Sequence, residues 1–222
     1  MKAIIGTLFW VPNFVHNVCM AHGFRQGEHI CSLYDTEEEQ LATAAAYLAD
    51  GLWRGERGLY IGANRDALLR FRVALGAVGL AAGALAERGA LIELTHEEAY
   101  LAGGRFSVGR MLTMLRESIQ QAAADGFSGW RGCGEMSWVL SGAPGSEQVS
   151  AYEAVLHQFF SDTRACAMCQ YNRKLLPAPL IDMALATHST AVIAGRPRFN
   201  PFFQPVARTS AARQFVPTST AG

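Results

Sequence analysis

Glu135, Ser137 and Trp138 leave one short apolar segment together, in the run Gly134-Glu135-Met136-Ser137-Trp138. A carboxylate, a hydroxyl and an indole at one point can hydrogen-bond a ligand and cover its apolar part. Two other apolar segments end in the same kind of chemistry, one on Tyr34-Asp35 and one on Gln170-Tyr171-Asn172-Arg173. If these segments are parallel strands, their carboxyl ends share an edge, and in open α/β sheets ligands bind at that edge. The candidate ligand-binding residues are therefore Asp35, Glu135, Trp138, Gln170 and Tyr171, with Tyr34, His29 and Arg173 as second choices. A pocket bounded by Tyr34, Trp138 and Tyr171 would suit a small, partly apolar molecule.

None of these ends opens into a phosphate loop. Such a loop needs glycines, so that backbone N–H groups can wrap phosphate, and a lysine. The first turn reads Tyr34-Asp35-Thr36-Glu37-Glu38-Glu39, with neither residue type and with four carboxylates around a helix start. Carboxylates there occupy the positive end of the helix dipole and repel phosphate. ATP hydrolysis is not expected, and a degenerate nucleotide-binding protein is kept as an alternative.

Metal chemistry is a second alternative. Cys19-x-x-His22 and His29-x-Cys31 place four candidate ligands close together in the chain, of the types that zinc favours. Against a zinc or haem site, His29 and Cys31 begin a strand, whereas zinc knuckles sit in tight turns, so no metal is expected. Cys166 and Cys169 face opposite sides of a regular strand, which argues against a redox pair. The five cysteines are an odd count and do not suggest a secreted disulfide framework. His96 reads as a surface residue at a helix start, and His157 as a packed one. His188 follows a helix whose last carbonyls it can reach. No Ser-His-Asp or Cys-His pair is legible from spacing, so no catalytic residue is named and no enzyme activity is expected.

The elements that must position these residues follow from periodicity. Apolar runs at 29–34, 58–62, 91–94, 130–136, 165–171 and 190–193 read as strands. Helical patterns cover 36–54, 65–87, 108–124, 146–160 and 179–186, with a short helix at 96–101. Thr36 caps the first helix, with Glu39 as its capping-box partner, and Gly55 ends it. Leu68, Leu69, Val73 and Leu75 are the core candidates of the second. Strands alternating with helices imply a mainly parallel sheet covered on both faces. Residues 1–26 read as an apolar N-terminal arm that can dimerise, 27–206 as one domain, and 207–222 as a disordered tail.

Bulk composition narrows the function classes. The 222 residues suit one large domain, and half of them are hydrophobic, enough for a sizeable core. With 19 basic and 19 acidic residues the net charge is zero, which gives no electrostatic reason to bind nucleic acid or an anionic membrane. The uncharged run 73–86 is shorter than the ~20 residues that cross a bilayer. No secretory leader is expected, and the location expected is cytoplasmic.

Taken in order, His29-Ile30-Cys31-x-x-Tyr34, Tyr100-Leu101-x-x-Gly104-Arg105-Phe106, Gly134-Glu135-Met136-Ser137-Trp138, Cys169-Gln170-Tyr171 and Asn200-Pro201-Phe202 resemble the MEDS domain, the methanogen/methylotroph DcmR sensory domain. The resemblance covers about residues 27 to 204, and Gly-Glu-Met-Ser-Trp is its most specific block. It implies a three-layer RecA/KaiC-like domain without a working nucleotide site. It also implies a sensory role in signal transduction or transcriptional regulation, toward small hydrocarbon derivatives. Where the family commonly has Asp after Cys-Gln-Tyr, this chain has Asn172, so a charge is lost there. A separate output protein, a regulator or a kinase, is the expected partner. The cofactor is left unknown.

Overall fold

The computed structural model describes residues 23–161 and 163–205. The candidate ligands Cys19 and His22, most of the N-terminal arm and the C-terminal tail lie outside the described residues.

Seven strands form one sheet in the spatial order β3-β2-β4-β5-β1-β6-β7. They are β1 (His29–Tyr34), β2 (Arg57–Gly62), β3 (Leu91–Thr95), β4 (Trp130–Glu135), β5 (Ala165–Asn172), β6 (Thr190–Ile193) and β7 (Arg196–Phe199). The first six run parallel, and β7 turns back antiparallel on β6. Helices α1 (Glu37–Trp53), α2 (Arg65–Ala77) and α3 (Ala82–Glu87) cover one face. Helices α4 (Val108–Ala124), α5 (Val149–Ser161) and α6 (Ala178–Thr187) cover the other. The architecture is the three-layer α/β sandwich that the alternating pattern implies.

Local chemistry sets the helix ends. Thr36 Oγ1 accepts from the Glu39 N–H at 3.2 Å, and Glu39 reaches back to accept from the Asp35 N–H at 3.0 Å. Asn64 and Ser107 cap α2 and α4 in the same way. The single helix expected over 65–87 is two helices. Gly79 takes a φ of +89° between them, a left-handed conformation that glycine reaches without strain. Leu69 and Val73 point outward, 59% and 75% exposed, and Phe71 joins Leu68 and Leu75 inside. The stripe of α2 is thus narrower than a count of its apolar residues suggests. No helix spans 96–101, where a turn leads to a 3₁₀ segment at Ala102–Gly104. β7 (Arg196–Phe199) is a strand that the apolar runs did not indicate. Its Pro197 has no N–H to donate and is tolerated because the strand is at the sheet edge.

Because strand side chains alternate, each strand sorts its residues between the two layers. Tyr34, Tyr60, Arg131, Cys133, Glu135, Cys166, Met168 and Gln170 occupy the α1 side of their strands. His29, Cys31, Gly132, Gly134, Cys169 and Tyr171 occupy the α5 side. Cys166 and Cys169 therefore face opposite layers, as their spacing requires. The four described cysteines are free thiols, and burial pushes Cys31 up to about 12 and Cys166 up to about 11.

On the α1 side, at the amino end of the strands, Arg131 is completely buried. Its guanidinium donates to Glu56 at 2.7 Å, to Asp50 at 2.9 Å and to the Tyr47 carbonyl at 3.1 Å. Gly51 makes room for it, since a Cβ there would lie 2.6 Å from Arg131 Nε. Arg131→Leu leaves buried Glu56 without its cation and Asp50 with only the half-exposed Arg54. The expected loss is about 3–5 kcal/mol of unfolding free energy, read as a lower urea midpoint at pH 7.

Candidate functional site

Tyr34, Glu135 and Gln170 end adjacent strands and turn toward α1, which makes them neighbours. Glu135 Oε1 accepts from Tyr34 Oη at 2.9 Å and from the Ser137 N–H at 3.0 Å. Its Oε2 accepts from Ser137 Oγ at 2.6 Å and lies 3.2 Å from His96 Nε2. Burial pushes this carboxyl up, but His96, Ser137 and Tyr34 outweigh burial and hold it below the usual carboxylate range. Burial, the first cause, and the Glu135 charge raise the Tyr34 phenol, so it stays a donor. Next to this group Gln40 Nε2 donates to Gln170 Oε1 at 2.6 Å and to Tyr60 Oη at 3.1 Å. Gln170 returns a bond to the Gln40 carbonyl at 3.0 Å.

The carboxylate at the centre of the strand-end site is thus met by donors from its own chain. It does not hold Arg173 or Arg105. Arg173 instead pairs with Asp35 through two bonds of 2.9 and 2.6 Å, on the partly exposed rim. His96 is buried, contrary to its surface reading, because the 96–101 turn folds it over the end of β4. Its sequence signal is weak: a histidine followed by two glutamates reads as solvated.

Trp138 is 2% exposed and belongs to the other layer. Its ring stacks on Tyr100 with centroids 4.9 Å apart and packs on Phe106 at 4.3 Å. Arg110 fixes this loop by donating to the carbonyls of Tyr100 at 2.8 Å and Arg105 at 2.6 Å. Tyr171 also lies in that layer, 6.0 Å from the His188 ring. Tyr34 and Trp138 therefore stand on opposite faces, and a pocket bounded by Tyr34, Trp138 and Tyr171 together is not what their strand ends build. His29 is at the amino end of β1, away from Glu135, and faces α5.

Between the sheet and helices α4 and α5 lies a small apolar cavity of about 20 Å³. Leu59, Ile61, Leu115, Trp130 and Leu156 are among the apolar residues of its wall, which also includes Tyr100, Tyr152 and Cys169. It lies along β4 at Gly132 and Gly134. A Cβ at Gly134 would sit 2.0 Å from Tyr100 Oη, and one at Gly132 would sit 2.4 Å from the Trp130 ring. The two glycines thus let the Tyr100 hydroxyl and the Trp130 ring come close to the β4 backbone. Trp130 is held there by its Nε1–H, which donates to Ser118 Oγ at 2.8 Å.

The turn after β1 is the place where a phosphate loop would sit in this architecture. Here the side chains of Glu39 and Thr36 take two of its backbone donors, the N–H groups of Asp35 and Glu39, and Glu37 faces Arg70 at 2.8 Å.

These features define a three-layer RecA/KaiC-like α/β domain. A KaiC-like protein from the hyperthermophilic archaeon Pyrococcus horikoshii is similar in fold, with a TM-score of 0.53 and 13% identity over 77% of this chain and 72% of that one. The sequence model of the MEthanogen/methylotroph, DcmR Sensory domain family matches residues 28–189. The chain belongs to this MEDS family of sensory domains. No curated protein matches it. Among the described residues no helix is long and apolar enough to cross a membrane.

Two outcomes test the geometry. Gly134→Ala forces Tyr100 and its Trp138 stack to move, at an expected cost of about 1–3 kcal/mol, with a changed near-UV circular dichroism spectrum. The Glu135 carboxyl is depressed in the folded state. Its contribution to stability is therefore present above about pH 4.5, its unfolded value, and is lost as pH falls through its lower folded value. Glu135→Gln should flatten that part of the acid limb in thermal melts between about pH 3 and 6.

Proposed function

We propose that this protein is a non-catalytic sensor of a small, largely apolar molecule, taken up in the cavity between the sheet and helices α4 and α5. The observation that carries the reading is the wall of that cavity. It is apolar over most of its area, and it also includes Tyr100, Tyr152 and Cys169. A space of about 20 Å³ holds about one water molecule at rest. A ligand of a few heavy atoms would need only small outward movements of the walls. Membership in a family of sensory domains supports the role.

The signal would pass as a population shift. Occupation of the cavity presses on α4, α5 and the Tyr100–Trp138 stack, and these elements present a changed surface to a separate output protein, a regulator or a kinase. Nucleotide binding has less support, because the turn after β1 spends two of its backbone donors on its own side chains and carries Glu37, Glu38 and Glu39. The ligand expected at the carboxyl ends of the strands moves, in this reading, one layer down and onto the opposite face from Glu135.

Methyl NMR of the full chain during titration with methanol, ethanol and dichloromethane is the test. Shifts should concentrate at Leu59, Ile61, Leu115 and Leu156, and Ala167→Val, which fills the cavity, should abolish them while preserving the fold. Shifts centred on Tyr34, Glu135 and Gln170 would return the site to the strand ends. No saturable shift with any of the three would sink the small-molecule reading.

A further inference from the structure

A second buried group of chemistry-bearing side chains stands apart from the Glu135 network. His29, Glu153, Cys169 and His188 meet in the α5 layer, and their donor atoms all lie within 4.8 Å of one another. They come from four places: the start of β1, the middle of α5, the middle of β5 and the junction of α6 with β6. His29, Glu153 and His188 are fully buried, and Cys169 is nearly so. In α5, Glu153 falls on the inward stripe between Val149 and Leu156, where an apolar residue would be the ordinary choice.

The hydrogen bonding of this group is incomplete in an informative way. His188 Nδ1 lies 2.7 Å from the Ala184 carbonyl, which can only accept, so Nδ1 carries the proton. That leaves the lone pair of neutral His188 on Nε2, and Nε2 faces Glu153 Oε2 at 3.2 Å. His29 Nε2 approaches the same oxygen at 3.3 Å and Cys169 Sγ at 3.6 Å. Neither Glu153 oxygen, nor His188 Nε2, nor the neighbouring Tyr171 hydroxyl has a hydrogen bond of proper geometry. An acceptor nitrogen and an acceptor-only carboxylate held this close, in the dry interior, call for a cation between them. The four side chains include no arginine or lysine, and the ion pairs of Glu153 are with the two imidazoles.

We propose that His29 Nε2, His188 Nε2, the Glu153 carboxylate and Cys169 Sγ bind one zinc ion. The three short separations suit it, and the rest of the group, within 4.8 Å, closes on the ion by small side-chain movements. A tetrahedral zinc with ordinary bond lengths sets N···O near ~3.4 Å and N···S near ~3.6 Å. The ligand types are those zinc selects, and the Nδ1 bond of His188 to a carbonyl orients that imidazole as outer partners of metal-bound histidines do. Charge closes as well: binding releases the Cys169 proton to solvent, and thiolate, carboxylate and Zn²⁺ sum to zero in a site without other charge. With four protein ligands the ion has no open position, so its role is to tie β1, β5, α5 and the α6–β6 junction together. The proposal is independent of the ligand reading above. Cys169 also borders the apolar cavity, so the metal would fix one wall of it.

The test uses the full chain, stripped with a chelator and titrated with Co²⁺ and then Zn²⁺. One equivalent of Co²⁺ should give the visible bands of a tetrahedral site and a thiolate charge-transfer band. Zn²⁺ should displace the cobalt and raise the melting temperature. Cys169→Ser should remove the charge-transfer band, and His188→Gln should weaken binding at least tenfold, whereas Cys19→Ser should change neither. If a variant does not fold, the stoichiometry and charge-transfer band of the wild type together with Cys19→Ser still decide. Loss of the band in Cys19→Ser would move the metal to the N-terminal pair and overturn the assignment. Folded wild-type protein that takes up neither metal would overturn it too, leaving a protonated imidazole as the cation beside Glu153.

Discussion

The central strands of the sheet are buried on both faces, and this constraint governs the polar networks of the molecule. Six parallel strands need crossover helices, and the helices seal both sides. Any polar side chain on a central strand then lies in a dry layer, where it must find a partner or carry the cost of desolvation. The chain places Arg131, Glu135, Gln170 and His29 in such positions. Each of them is explained by what meets it: two carboxylates, three protein donors and a histidine, a glutamine ladder, or a carboxylate shared with a second histidine.

The two layers differ in how far they satisfy their polar groups. On the α1 side Arg131, Glu135 and Gln170 have hydrogen-bond partners, and His96 Nε2 faces Glu135 without a hydrogen bond of proper geometry, which suits anchors that hold β4 and β5 in register. On the α5 side both Glu153 oxygens, His188 Nε2 and the Tyr171 hydroxyl lack such bonds, and the neighbouring space along β4 is an apolar cavity. The proposed ligand site lies in this second layer, beside the polar groups that lack partners.

Several elements were legible in the residues because their causes are local. The capping box at Thr36 and Glu39, the helix-ending Gly55, the apolar strand runs and the reach of His188 to the helix carbonyls are all decided within a few positions of the chain. Other features depended on distant partners. The outward turn of Leu69 and Val73, the break at Gly79, the edge pairing of β7 and the burial of His96 come from which surfaces happen to be covered. Glu153 left one trace, a carboxylate on an apolar stripe, that periodicity alone could have flagged.

What the amino-acid order determined by itself was the alternation of strand and helix, the lack of a phosphate loop after β1, and membership in the MEDS family through motifs at fixed spacing. These depend on near neighbours and on the types of residue present. Only the tertiary structure decided which face each strand residue serves and what stands opposite. It separated Tyr34 from Trp138, paired Asp35 with Arg173, and gathered His29, Glu153, Cys169 and His188 from positions up to 159 residues apart into one group. The physical reason is that a parallel sheet brings strands together in an order unrelated to their order in the chain, so contacts across it cannot be read from spacing.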